Sequence, residues 1–194
     1  MVSTEDEVEA AFQRCQSEAH AAFGCRDVYV EKFIPCARHV EVQILGDRSG
    51  GIAHLGEREC SVQRRFQKII EIAPAPGLED ALRQQIIEAA VRFAKRAGYT
   101  SLGTFEFLVD VSALPGAQPF VFIEANARLQ VEHTVTEAVT GIDLVQAQIR
   151  LAQGATLQEL GLGKPVAPKG TRSRRASTWK RLRRGARCSP VAVP

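Results

Sequence analysis

The chain has 194 residues, 45% of them hydrophobic, with 25 Lys and Arg against 22 Asp and Glu, 15 Gly, 9 Pro and 5 Cys. That length allows one domain of ordinary size, or one and a fragment. No run approaches the roughly 18 apolar residues of a membrane span, Met1 is followed by an acidic, helix-like stretch, and the cysteines are odd in number, widely spaced and never in a CxxC pair. Membrane, secreted, disulfide-scaffold and zinc-cluster classes are therefore not expected, and a reducing, cytoplasmic setting is.

The net charge of +3 hides a split. Residues 164–194 carry ten basic side chains and no acidic one, so 25 less 10 leaves 15 basic against 22 acidic groups in residues 1–163, a net of −7. The chain reads as an acidic body joined to a basic tail.

In chain order, Ser3 and Thr4 offer N-caps with Asp6 and Glu7 three residues on, and Val8, Phe12, Cys15, Ala19 and Phe23 recur at helical spacing before Gly24, which predicts one amphipathic helix. Val28 and Val30 alternate as in a strand. RHVEVQILGD alternates more clearly, with Val40, Val42 and Ile44 on one face and His39, Glu41 and Gln43 on the other. After a turn at 47–51, IAHLGE is the expected partner strand, and ERECSVQRRFQKIIEIAPAPG reads as an ordered loop with strand character at its end. Leu82, Ile86, Ala89, Ala90 and Phe93 define a helix over 78–97, ended by Gly98. TFEFLVD and PFVFIEAN come next as strands joined by SALPGAQ, and the last regular element is LVQAQIRLAQ, a helix capped by Asp143 and stopped at Gly154. The interleaving lacks the beat of a doubly wound parallel sheet, and the long hairpin predicts an antiparallel component, hence an α+β fold.

In TFEFLVD, Thr104, Glu106 and Leu108 share one face; in PFVFIEAN, Phe120, Phe122 and Glu124 share another, and a hairpin brings Glu106 and Glu124 side by side. Like charges there repel unless a cation intervenes. Asn126, two residues beyond Glu124, supplies a third oxygen, and three hard oxygens are what Mg²⁺ or Mn²⁺ selects. The bland alternative is a pair of glutamates on a solvated sheet face. Arg128, Gln130, Glu132 and His133 continue this polar segment. Arg64, Arg65 and Lys68 cluster in SVQRRFQK, as cations that serve an anionic ligand do, or as a solvated basic face does.

At these residues the chain resembles a known family. VYVEKFI, RHVEVQILGD, GERECSVQRRFQKIIEIAPAPG, GTFEFLVD and FIEANARLQVEHTVTEAVTGIDLVQAQ are similar, in order and spacing, to successive blocks of the biotin carboxylase component of biotin-dependent carboxylases, ATP-dependent ligases of the ATP-grasp fold. The phenylalanine in RRFQK resembles the large fused acyl-CoA or pyruvate-type carboxylases. The resemblance implies a truncated ATP-grasp unit, with residues 1–30 the end of the small lobe, 31–163 an incomplete large lobe, and 164–194 a basic tail.

It also implies roles. Glu31 and Lys32 would meet adenine at the hinge, His39 would face the ribose, and Gln63 would lie nearby. Glu106, Glu124 and Asn126 would hold Mg²⁺ or Mn²⁺. Lys68, Arg128, Gln130 and Val131 would form the bicarbonate pocket, and Glu132 would be the general base. The implied reaction phosphorylates bicarbonate with ATP and passes the carboxyl group to biotin on a carrier protein, a chemistry of positioning and charge neutralisation. The implied partners are the biotin carboxyl carrier domain and a carboxyltransferase component. A carbamoyl-phosphate synthetase type of ATP-grasp ligase and a noncatalytic nucleotide-binding remnant are the alternatives; SVQRRFQK and LQVEH favour the carboxylase.

Two departures stand out. The family's glycine-rich loop and phosphate-binding lysines would precede Met1, so the isolated chain is expected to have little or no carboxylase activity. After PVAPKG the family continues with a strand resembling GYAIQARVNME, whereas this chain reads GTRSRRASTW. One codon choice for residues 171–179, ACG CGA TCC AGG CGC GCG TCA ACA TGG, becomes TAC GCG ATC CAG GCG CGC GTC AAC ATG when a T is placed in front, which reads Tyr-Ala-Ile-Gln-Ala-Arg-Val-Asn-Met. A frameshift before Thr171 is therefore the hypothesis, and the gene sequence around Gly170 tests it. Residues 171–194 would then be disordered, attracting nucleic acid at most nonspecifically.

Overall fold

The computed structural model describes residues 2–112 and 119–175. The chain divides into two compact units, with the boundary between Pro35 and Cys36. In the first, a 3-10 turn (Glu5–Glu7) leads into helix α1 (Val8–Phe23). No hydroxyl caps it, but the Glu7 carboxylate accepts from the Ser3 N–H at 3.0 Å, tying the residue before the Thr4 cap to the first turn. Gly24 ends the helix in the left-handed conformation, φ +74°, donating its N–H to His20 O. The strand expected around Val28 and Val30 does not form. An alternating pattern becomes a strand only beside a partner's backbone, and this unit holds no strand among its described residues.

The second unit is built on one antiparallel sheet. Its strands are β1 (Ala37–Gly46), β2 (Ile52–Arg64), β3 (Gln67–Ala73), β4 (Ser101–Asp110), β5 (Phe120–Asn126) and β6 (Arg172–Arg175), in the spatial order β5-β4-β1-β2-β3-β6. Its helices are α2 (Asp80–Arg96), α3 (His133–Thr140) and α4 (Leu144–Ala152). β1 lies between two partner strands with α2 packed on one face of the sheet and α4 on the other, so both its faces are buried and its alternation sorts two chemistries. Val40, Val42 and Ile44, with Phe105, Phe107 and Val109 of β4, pack on Ile86, Ile87, Ala90 and Ala94 of α2. On the opposite face Leu45 and Leu102 pack on Leu144, Ala147 and Leu151 of α4. Each such fully buried aliphatic contributes about 1.5–3 kcal/mol. The remainder of that face is polar.

The β1–β2 turn is tied down by Asp47. One carboxylate oxygen accepts from Ser49 N and Gly51 N, each at 2.9 Å, and the other from Leu157 N at 2.9 Å, stitching the turn to the segment after α4. A Cβ on Gly51 would come within 2.8 Å of that carboxylate, so the position accepts only glycine without displacing it.

Four expectations are corrected. ERECSVQRRFQKII is not a loop: β2 runs through to Arg64 and turns into β3 at Arg65 and Phe66, both left-handed (φ +48° and +64°). Helix α3 was not anticipated, because it comes after the polar site segment without a side-chain cap. Phe122 and Glu124 do not share a face. A bulge in β5 pairs Glu106 with Glu124 but Phe107 with Phe122, so the aromatic ring joins Phe93, Phe105 and Phe107 while the carboxylate points to the other side. Finally, residues 172–175 are ordered as β6 along the β3 edge, with Arg174 beside Glu71 at 3.1 Å. Backbone pairing to a free edge is indifferent to side-chain composition, and a buried carboxylate attracts the arginine. The rest of the expected disorder, at 176–194, and most of the SALPGAQ connection lie outside the described residues. Among those described, no helix is long and apolar enough to cross a membrane.

Candidate functional site

The polar part of the β1 face carries the site. His39 and Glu41 project from β1, Arg58 from β2, Lys68 from β3, Thr104 and Glu106 from β4, and Glu124 and Asn126 from β5. Gln130 and Glu132 lie on the segment entering α3. Antiparallel pairing places Glu41 opposite both Arg58 and Glu106, and Glu106 opposite Glu124. The carboxylates therefore stand in a row across three strands.

Two cations hold that row together. Arg58, fully buried, donates to Glu41 at 2.6 Å, to Gln43 and Thr136 at 2.8 Å each, and to Thr104 at 3.3 Å. Lys68 Nζ lies 2.5 Å from Glu41, 2.6 Å from Glu132 and 3.1 Å from Glu106. Burial on its own would push the Glu41 carboxyl up, yet the charges of Arg58 and Lys68 outweigh it and hold the group below the usual range. Glu106 obeys the same logic. Burial opposes ionisation, but contact with His39, the Lys68 charge and the Gln130 amide bring it down to about 2. Burial works against the Lys68 ammonium too, and Glu41 and Glu106 more than reverse it, so its proton is held more tightly than in water.

The remaining groups surround Glu106. Gln130 Nε2 donates to it at 2.9 Å, while Gln130 Oε1 is buried with no donor, an unmet acceptor inside the site. Asn126 Nδ2 bridges two carboxylates, 2.9 Å from Glu106 Oε1 and 2.8 Å from Glu124 Oε1. The amide N–H₂ thus sits between like charges, as a cation would. Turning it over presents Oδ1 in the same place, and two carboxylates with one carbonyl oxygen suit Mg²⁺ or Mn²⁺. The residues present fit a hard divalent ion.

Of the residues expected at the site, His39, Gln63, Lys68, Glu106, Glu124, Asn126, Gln130 and Glu132 are brought together; Gln63 reaches it through His39, with 2.7 Å between Nε2 and Nδ1. Arg128 is exposed at the margin, its guanidinium 3.4 Å from Asn126 Oδ1. Val131 is 67% exposed, next to Glu132. Glu31 and Lys32 belong to the first unit, on an exposed stretch without regular structure. Arg58 and Glu41 were missed as site residues. Glu41 was legible as a member of the polar β1 face, but simple counting from the turn pairs it with Glu57; an irregularity between Val42 and Ile44 shifts the register and sets Arg58 opposite instead.

A row of carboxylates spaced by cations and an amide on the polar face of a sheet suits a divalent cation and an anionic ligand. Residues 1–160 match the family described as carbamoyl-phosphate synthase L chain, ATP binding domain, and the chain belongs to that family. The particular relatives are carboxylases. Pyruvate carboxylase 1 of Caenorhabditis elegans is 57% identical over 157 residues, covering 81% of this chain and 13% of the relative. A biotin carboxylase in complex with β-γ-ATP from Campylobacter jejuni superposes with a TM-score of 0.78 at 44% identity, covering 89% of this chain and 37% of that one. The biotin carboxylase domain of Hydrogenobacter thermophilus 2-oxoglutarate carboxylase, solved with MgADP, ADP and bicarbonate, gives 0.75 at 40% identity, covering 88% and 36%. The fold is accordingly part of an α+β ATP-grasp unit, and these relatives favour the carboxylase over the carbamoyl-phosphate synthetase reading. The chain spans 13% of the length of the curated relatives it matches.

Proposed function

We propose that this chain is the portion of a biotin carboxylase that binds metal and bicarbonate and takes part in the ATP-dependent carboxylation of biotin on a carrier domain, upstream of a carboxyltransferase. The observation that carries the reading is the contact set of Glu106: a carboxylate joined to Glu124 through Asn126 and to Glu132 through Lys68. Glu106, Glu124 and Asn126 hold the metal, which supplies charge neutralisation for phosphoryl transfer when bound.

Lys68 is the pivot on the protein side. Its ammonium touches both the metal-side carboxylate and Glu132, so a bicarbonate entering beside it takes over one of those contacts and frees Glu132 to accept the bicarbonate proton. Gln130 borders the same space, held by its donation to Glu106, and Arg128 at the margin adds a guanidinium for the anion's oxygens. Val131, exposed beside Glu132, belongs to the same pocket in this reading. His39 and Gln63 form the edge facing the ribose.

Manganese binding measured by electron paramagnetic resonance tests the metal step. One ion is expected per chain with ATP present, with affinity lost in Glu106→Gln and Glu124→Gln and both variants folded by circular dichroism. Unchanged uptake in both overturns the assignment. Bicarbonate-dependent ATP hydrolysis stimulated by free biotin tests the reaction, and nucleotide binding without turnover marks a noncatalytic remnant.

A further inference from the structure

The two oxygens of Glu106 have separate partners. Oε1 accepts from Lys68 at 3.1 Å and from Asn126 and Gln130 at 2.9 Å each, and faces the metal position of the proposed function. Oε2 lies against the His39 ring, 2.5 Å from Nε2. What that nitrogen offers is decided on the other side of the ring, at Gln63. Gln63 Nε2 has two hydrogens and two neighbours, Cys60 O at 2.9 Å and His39 Nδ1 at 2.7 Å. The Cys60 carbonyl only accepts, so it fixes the amide with its N–H₂ on this side; turned over, Gln63 would set its own oxygen against that carbonyl. An N–H donated to Nδ1 makes Nδ1 the bare nitrogen of a neutral imidazole, and the ring proton then sits on Nε2, facing the Glu106 carboxylate. The ring is buried, so water competes little for either nitrogen. Oε2 stands off the axis of a straight hydrogen bond, and the contact restrains the carboxylate chiefly by charge and dipole.

We propose that Gln63 and His39 are positioning residues for the divalent metal: Gln63 fixes the ring as its Nε2–H tautomer, and the ring holds Glu106 Oε2 so that Oε1 is presented to the side of Asn126 and Glu124. Groups one step removed from a metal ligand set its orientation, and their loss costs about 10–100-fold in metal affinity. The opposite tautomer would bring the lone pairs of Nε2 and Oε2 face to face across 2.5 Å and push the carboxylate out of its row. The inference rests on the proposed function, which supplies the metal at Glu106, Glu124 and Asn126. It gives His39 and Gln63 a task apart from the ribose edge, since they act on the carboxylate whether or not a nucleoside is bound.

The test follows Mn²⁺ uptake by the full chain with paramagnetic resonance, using tripolyphosphate in place of ATP, so that a lost ribose contact cannot pass for a lost metal contact. His39→Leu and Gln63→Leu are each expected to weaken Mn²⁺ by about tenfold or more. His39→Gln, whose amide N–H₂ reaches the place of the Nε2–H, should recover most of that loss. Adding Gln63→Leu to His39→Leu should cost nothing further, because Gln63 acts through the ring. Mn²⁺ affinity unchanged by His39→Leu, no recovery in His39→Gln, losses from the two leucine changes that simply add, or uptake that requires the nucleoside overturns the proposal and leaves the metal assignment standing. No Mn²⁺ uptake by the unsubstituted chain even with ATP overturns the metal assignment, and the positioning role with it. Should the variants not fold, long-range proton–nitrogen correlation spectra of the unsubstituted chain at neutral pH decide, with the His39 signal assigned through the Gln63 amide protons: a proton on Nε2 alone is required, and a proton on Nδ1 refutes the proposal.

Discussion

Replacing Arg58 with leucine measures what the buried guanidinium does. The change removes a donor set reaching Glu41, Gln43, Thr136 and Thr104, and leaves Glu41, Glu106 and Glu132 facing Lys68 alone. Breaking a buried ion pair from one side costs about 3–5 kcal/mol, and each neutral acceptor left bare adds about 1–3. Those costs do not sum, because Glu41 keeps Lys68 at 2.5 Å and the threonine hydroxyls can turn. The expected loss is about 4 kcal/mol, a large share of a typical domain's 5–15. Removing the carboxylate as well, in Arg58→Leu with Glu41→Leu, takes away the stranded charge and should recover about 2 kcal/mol relative to Arg58→Leu. The assay is urea unfolding by far-ultraviolet circular dichroism on the four members of the cycle. A single-variant loss below about 1 kcal/mol, or a double variant no better than Arg58→Leu, would refute the view that Arg58 exists to neutralise Glu41.

Other outcomes rest on the same geometry. Glu106, depressed to about 2 from an ordinary 4.5, contributes on the order of 3 kcal/mol that is present above the unfolded value and lost as pH falls through the folded one; stability should decline between about pH 5 and 2, and a titration of equal slope in Glu106→Gln would contradict this. Asp47→Ala frees three N–H donors and should cost about 1–3 kcal/mol, with faster hydrogen exchange at Leu157 as its local signature; unchanged exchange there would count against the stitch. Arg65→Asn with Phe66→Gly puts residues that accept positive φ into a two-residue hairpin turn and should stabilise the chain by about 1–2 kcal/mol, read as a raised unfolding midpoint; a lowered one would mean these side chains hold the turn in some other way.

The sequence made β1 readable because its apolar and polar residues alternate strictly, and both faces found the neighbours that alternation demands. It made Glu106 and Glu124 readable as neighbours because two strands on a short connection can pair only antiparallel. The β2–β3 hairpin was hidden for a physical reason: its inward residues, Arg58 and Lys68, are charged because they serve a polar interior, so the usual hydrophobic signature is replaced by the functional one. Arg58 was hidden by the extra residue that β2 carries opposite Gln43, which no count of residues along β1 reveals. Residues 172–175 misled by composition, since an arginine-rich segment reads as unstructured until a sheet edge and the buried Glu71 are seen beside it.

The single-residue offset at Ile123 has a bearing on how this stretch can change over time. Upstream of it the odd-and-even rhythm of β5 sends rings toward α2; downstream the same rhythm sends acids and amides the opposite way. Loss or gain of one codon between Phe122 and Asn126 would therefore invert the phase of the residues beyond it, driving Glu124 and Asn126 into an oily layer. Substitutions here are negotiable residue by residue, whereas changes of length are permitted only where they restore parity, and a lineage should carry the kink or lose the chemistry with it.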